Sequence, residues 1–186
     1  GLDGLRFDGS DDFLSVPSST ATFKFLHETQ ASFFAVCKAG TTANPDTFMF
    51  LAGTSSGVDV GAVFFYDDRT TSLSRNDRFR VTTGNGSTTV INAGTTSAAE
   101  DSLPANTYSV VSAVLDNTDA TAANRVAMRL NGGTAITDNS STSSTSSSNA
   151  YGDLRLGAEP AGSFPKLDGD ICEIIIYDSA LSDTDR

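Results

Sequence analysis

Three carboxylates crowd one short stretch of the chain, KLDGDICEIIIYDSALSD at residues 166–183, where Asp168, Asp170 and Glu173 stand beside Ile174, Ile175 and Ile176. Paired carboxylates across a glycosidic bond can hydrolyse it. Carboxylates gathered with backbone carbonyls can hold Ca²⁺, which takes six to eight oxygen ligands. Flanking an apolar run, the same residues are simply the polar borders of a core strand. The isoleucines favour the last reading: residues 169–177 read as a core strand whose flanking acids are free to serve a loop site. Ile171, Ile174 and Ile176 cannot all share one face under strict alternation, so the strand requires a bulge or burial on both sides.

Other chemistry is sparse. His27 is the only histidine and sits in FKFLHE, where it reads as a surface residue. Neither a GxSxG motif nor a Cys–His pairing stands out. Zinc is disfavoured by two cysteines and one histidine set far apart. Cys37 and Cys172 are too few for a disulfide framework; they are either a single long-range bridge or two separate thiols.

A binding surface has better material. Lectin-like sites combine an aromatic face with polar side chains. Tyr66, Tyr151 and Phe164 fall at strand ends or in loops, with Asp67, Asp68, Asn76 and Asn149 near them in sequence. The segment 67–80 concentrates Arg69, Arg75, Arg78 and Arg80, and guanidinium groups grip carboxylates and sulfates bidentately. Asp67, Asp68 and Asp77 offset most of that charge, which also suits an exposed hairpin with local ion pairs. The candidate ligand-binding set is Tyr66, Asp67, Asn76, Arg78, Tyr151 and Phe164.

These residues need a scaffold, and the chain reads as all-β. Short runs of Val, Ile, Phe and Thr recur between Gly, Asn, Asp and Ser clusters. They predict strands near 3–8, 12–16, 31–38, 47–52, 61–66, 77–83, 88–92, 107–116, 125–131, 134–137, 153–157 and 169–177. Asn131-Gly132-Gly133 suits a hairpin turn with positive φ. ASFFAVCK, residues 31–38, is apolar almost throughout and predicts a strand covered on both faces. Only a turn near 23–27 and a start at Ser182 suggest helix. The serine-rich tract 140–148 predicts a mobile loop. Residues 1–186 read as one domain, taken from a longer protein.

Two end segments carry a resemblance. FDGSDDFLSVP (7–17) resembles the opening of laminin-G-like domains of the concanavalin A-like lectin/glucanase superfamily, and LDGDICEIIIYDSALSD (167–183) resembles their closing strand. ASFFAVCKA is similar to an early core strand of that family. The resemblance implies a jelly roll of two antiparallel sheets. RLGAEPAG (155–162) resembles the calcium-loop segment of the related pentraxins, which implies metal ligands at Glu159 and approximately Asp59. Asp8, Asp11, Asp12 or Asp168 are substitutes, and Asp59, Glu159 and Asp168 form the candidate metal set. Pro160 and Ala161 depart from the pentraxin pattern. The pentraxin disulfide partner is missing, because the strand matching 107–116 has no cysteine. Asp168-Gly169-Asp170-Ile171-Cys172-Glu173 is similar to the catalytic strand of the superfamily's endo-glucanases, with Asp in place of the first Glu. It lies near the end of the sequence instead of mid-chain, and the sequence has no Trp to floor a glucan cleft.

Twelve Lys and Arg against 23 Asp and Glu leave a net charge of −11, which repels nucleic acid. No apolar run is long enough to span a bilayer. The sequence thus predicts an all-β, two-sheet antiparallel jelly-roll sandwich. Its expected role is non-catalytic: binding a glycan or protein ligand, with Ca²⁺ as the possible cofactor, in a larger extracellular, cell-surface or virion protein. An assembly domain without glycan binding and a divergent glucan hydrolase are the alternatives.

Overall fold

The computed structural model describes residues 4–40, 48–67, 78–94, 104, 106–137, 144–162 and 164–186. All twelve predicted strands are present, and they form two six-stranded sheets. Sheet A runs, in spatial order, β1 (Leu5–Asp8), β12 (Asp168–Tyr177), β3 (Gln30–Ala39), β8 (Ser109–Asp116), β9 (Val126–Leu130) and β10 (Ile136–Thr137). Sheet B runs β2 (Leu14–Ser15), β11 (Arg155–Leu156), β4 (Phe48–Gly53), β5 (Gly61–Asp67), β6 (Arg78–Gly84) and β7 (Thr89–Gly94). Every pairing within a sheet is antiparallel. The architecture is the jelly-roll sandwich.

Alternation explains which side chains lie between the sheets. On β3, Ala31, Phe33, Ala35, Cys37 and Ala39 face inward and are buried. On β5, Ala62, Phe64 and Tyr66 do the same. Phe33 and Phe64 stack across the gap with ring centroids 3.9 Å apart and planes 9° from parallel. Burying one such ring contributes about 2 kcal/mol. The isoleucine problem in β12 is solved by a bulge: the register against β3 shifts between Ile171 and Glu173, so Cys172 is the extra residue. Ile171 is buried, and Ile174 and Ile176 pack on the same core. Cys37 and Cys172 are both free, and burial pushes the Cys37 thiol up to about 12.

The two-sided cover expected for β3 is also present. Its outward Ser32 donates to Ser179 O and accepts from Leu181 N, so the segment after β12 crosses this face. Asn131 (φ 49°) and Gly132 (φ 72°) form the expected turn after β9.

One local expectation is corrected. Ser182 starts no helix: its hydroxyl bonds Asp185 Oδ2 and its carbonyl accepts Asp185 N, which closes a single turn. The one α-helix among the described residues is α1 (Phe25–Glu28). The loop expected at 140–148 is seen at 144–148, which has no regular secondary structure, and residues 140–143 lie outside the described residues. Ser144, Ser147 and Ser148 offer their carbonyls to Asn85 Nδ2 (2.8 Å), Lys24 Nζ (3.3 Å) and His27 Nε2 (3.0 Å). Donors on the rest of the protein thus offset the ordering entropy that small side chains cannot.

Candidate functional site

The outward face of sheet B is where polar and aromatic groups converge. Cross-strand register places Ser15, Arg155, Gly53, Val63, Thr82 and Asn92 in one row across all six strands. The next row carries Phe50, Phe65, Arg80 and Gly94. All project away from the core, because Leu156, Phe64, Val81 and Ile91 beside them in sequence project into it. A bulge between Phe50 and Ala52 in β4 brings Phe50 into the second row.

Arg80 is the centre of this face. Its Nη1 donates to Asp67 Oδ2 at 2.7 Å and its Nη2 to Asn92 Oδ1 at 2.5 Å, while the guanidinium lies over the Phe65 ring at 5.4 Å. Asp67 is 1% exposed, so a charge that would be costly alone is matched by its partner. A guanidinium carries five N–H donors. The described contacts use two, and the buried Nε–H has no acceptor among the described residues. The remaining hydrogens on Nη1 and Nη2 can donate to a carboxylate or a vicinal diol, whereas the buried Nε–H is out of a ligand's reach.

Beside Arg80 lies an apolar recess. Phe50, Val63 and Phe65 form a cluster separate from the main core. With Phe164, Thr82, Ser56 and Gly57 they line a cavity of about 100 Å³. Phe164 comes from the loop after β11, its ring 5.7 Å from that of Phe50. The 54–60 loop reaches this rim because Gly84 has no side chain: a Cβ there would collide with the carbonyls of Gly57, Val58 and Asp59.

The predicted ligand set divides. Asp67 and Phe164 are on this face. Tyr66 is not: it points into the core and is 4% exposed, because alternation along β5 turns Phe65 outward in its place. Tyr151 is exposed at one end of the sandwich, where its N–H bonds Val60 O. Arg78 lies opposite Asp67 in register; its side chain, with Asn76, Asp68, Arg69 and Arg75, is outside the described residues. Phe50, Phe65, Thr82 and Asn92 share this face and lie outside the predicted set. The GAVFFYD alternation, anchored on an outward Asp67, is the signal that finds Phe65.

The implied metal ligands are spent elsewhere. Glu159 is 1% exposed and accepts the N–H groups of Ala161 and Phe164, which shapes its loop. Asp59 accepts the Ser56 hydroxyl, and Asp168 pairs with Arg6 at 2.7 Å. Their carboxylates do not gather into a common ligand set, so the pentraxin-type site does not fit these residues. Among the described residues, only Asp8, Asp11 and Asp12 bring three such oxygens within 4.8 Å of one another. All three are exposed, and Asp8 and Asp12 already accept the N–H groups of Ser10 and Asp8.

The acidic strand lies on the opposite side of the sandwich, on the outward face of sheet A. Asp170 receives hydrogen bonds from Lys38 (2.5 Å), Tyr108 (2.9 Å) and Arg6 (3.2 Å). The Lys38 bond, with those of Tyr108 and Arg6, holds its carboxyl below the usual range. A carboxyl held ionised in this way is a poor proton donor.

A sequence model described as the concanavalin A-like lectin/glucanases superfamily matches residues 8–185. The chain belongs to that superfamily. Solved structures of similar fold include the following. The CBM40 of the Ruminococcus gnavus IT-sialidase, bound to α2,3 sialyllactose, is 15% identical with a TM-score of 0.68, over 98% of this chain and 93% of that one. A leech intramolecular trans-sialidase is 14% identical with a TM-score of 0.61, over 98% of this chain and 26% of that one. A SAP-like pentraxin from Limulus polyphemus is 12% identical with a TM-score of 0.53, over 86% and 69%. No curated protein matches the sequence.

Proposed function

We propose that this domain is a non-catalytic carbohydrate-binding module of a larger extracellular, cell-surface or virion protein, and that it takes an acidic glycan on the outward face of sheet B. The observation that carries the reading is Arg80, aimed by Asp67 and Asn92 against Phe65 and set beside the apolar recess. A fixed guanidinium next to an apolar pocket suits a sugar bearing both a carboxylate and a nonpolar substituent. The sialyllactose-bound CBM40 of like fold supports that class of ligand. The proposal places no metal at this face.

The test is calorimetric titration with 3′-sialyllactose and with lactose. The expected result is binding of the first, little binding of the second, and a loss of about tenfold or more in Arg80→Gln, as befits a charge-assisted contact. Equal affinity of wild type and Arg80→Gln for sialyllactose overturns the reading. Hydrolysis abolished by Glu173→Gln would restore the hydrolase alternative. The assembly alternative draws on Val110, Ile175 and Tyr177, exposed on the outward face of sheet A. A monomer at high concentration counts against it.

A further inference from the structure

His27 is a buried titratable group that takes no part in the Arg80 face. It sits in α1 and is 1% exposed. Its Nε2 meets Ser148 O at 3.0 Å, so the neutral ring carries its proton there. Its Nδ1 is buried and has no hydrogen-bond partner among the described residues. A second proton can go only to Nδ1, where no acceptor meets it, and a charged ring with a buried, unpaired donor is costly. The charged groups that act on the ring are Glu28 and Lys24 of its own helix; they pull in opposite directions and pair with each other at 3.0 Å. The strands packed against α1 are β3, β5 and β6. Their core-facing side chains include no acid or base other than the Cys37 thiol and the Tyr66 phenol. Asp153, on the segment that covers the ring, is taken up by the N–H groups of Ser18 and Ser19.

That covering segment has neither strand nor helix over residues 147–152. At one end α1 holds it by two carbonyls: Ser147 O accepts from Lys24 Nζ at 3.3 Å, and Ser148 O from His27. Ala150 N then donates to Thr20 O at 3.0 Å. At the other end Tyr151 N donates to Val60 O at 2.7 Å and Gly152 N to Thr54 O at 3.0 Å. These last two bonds fasten it to the 54–60 loop, whose Ser56 and Gly57 line the recess beside Arg80. The segment is a strap laid from the histidine to the rim of the recess.

We infer that residues 147–152 form an acid-released strap, latched by neutral His27, that holds the rim of the recess at neutral pH and frees it in acid. With the strap closed, the ring cannot take a second proton without stranding it. With the strap lifted, the ring meets water and takes that proton readily. Burial holds the closed form's value below the ordinary 6.5, so the closed strap has its full advantage above pH 6.5 and loses it as pH falls below. Lifting the strap breaks a few loop hydrogen bonds and no strand pairing, so it is an easier opening than unfolding of the sandwich. The device does not depend on what the recess binds.

The experiment is amide hydrogen exchange followed by NMR on the whole chain, read as protection factors so that the intrinsic pH dependence of exchange cancels. The expected result is that Ala150, Tyr151 and Gly152 are less protected than the amides of β5 and β6, and that their protection falls by about tenfold or more between pH 7 and about pH 5. In His27→Gln, whose amide can still donate to Ser148 O but does not titrate, that fall disappears. Strap amides that keep their protection in acid overturn the inference, as does an equal fall in wild type and His27→Gln. Strap amides as protected as the core at both pH values overturn it too, because the ring is then exposed only by global unfolding. A measurement on wild type alone guards against a variant that fails to fold: the ring nitrogen shifts should place the His27 proton on Nε2 at pH 7, and a proton on Nδ1 overturns the latch.

Discussion

The outward faces of the two sheets are built from similar residues and end in different states. On sheet A, Asp170 takes one donor each from Arg6, Lys38 and Tyr108, while Arg6 also holds Asp168. The segment after β12 is fastened over the same face through Ser32, and Arg129 and Arg186 both meet Asp183. Its charges close on one another. On sheet B, Arg80 is oriented by two acceptors and retains further donors, and the aromatic residues around it leave a recess unfilled. The difference teaches that charge density by itself does not leave a polar group available to a ligand. A site needs a polar group that its own protein aims without fully using, next to space.

The sharpest way to break this comparison is to remove the group that aims Arg80. Asp67→Ala leaves a largely buried guanidinium without its counterion, and unfolding by urea is expected to show a loss of about 3–5 kcal/mol. Its sheet A counterpart, Asp170→Asn, removes a more accessible hub. It is expected to cost about 1–3 kcal/mol and to leave sialyllactose affinity unchanged. A change in affinity there would mean that the two faces are coupled.

Acid sharpens the contrast further. Because the folded Asp170 carboxyl is held low, its stabilising contribution is complete above the ordinary value of 3.8 and is lost as pH falls through the folded value. The Asp170→Asn variant should therefore lose less stability than wild type on acidification in that range. His27 acts higher. It is 1% exposed, its Nε2 donates to Ser148 O, and its Nδ1 has no partner among the described residues. Burial lowers its value below the ordinary imidazole value of 6.5. The unfolded chain then binds a proton that the folded protein refuses, so stability drops as pH falls below 6.5. The urea midpoint is expected to decline from pH 7 to about pH 5, and His27→Gln should flatten that decline. The smallest effect is on the outward apolar residues of sheet A: Ile175→Thr is expected to change stability by about 0.5 kcal/mol or less.

Much of the framework was legible because strand patterns are local. Apolar runs bounded by Gly, Asn, Asp and Ser placed all twelve strands, and the spacing of Ile171, Ile174 and Ile176 called for a bulge or burial on both sides, of which the bulge at Cys172 is found. The site was harder. Of the candidate residues, Asp67 and Phe164 lie on the outward face of sheet B, whereas Tyr66 faces the core and Phe65 faces outward, because a run such as VFFY has no polar residue inside it to show which parity is buried. Arg80 was visible within an arginine-rich segment, yet its partner Asn92 lies on the next strand and only pairing reveals it. His27 looked like a surface residue; burial by its neighbours, invisible in FKFLHE, reversed that. The serine tract's own side chains offer little, and the donors that meet its carbonyls at 144–148 come from Lys24, His27 and Asn85, far away in sequence.

The amino-acid sequence alone determined the all-β character, the strand positions, the acidic surface and the membership suggested by the two ends. These depend on neighbours a few residues apart, and a period of two is written directly into the chain. Tertiary structure decided which parity of each strand faces out, which carboxylates pair with cations and where an arginine meets an aromatic ring. Those outcomes depend on register between strands distant in sequence, which no local pattern encodes.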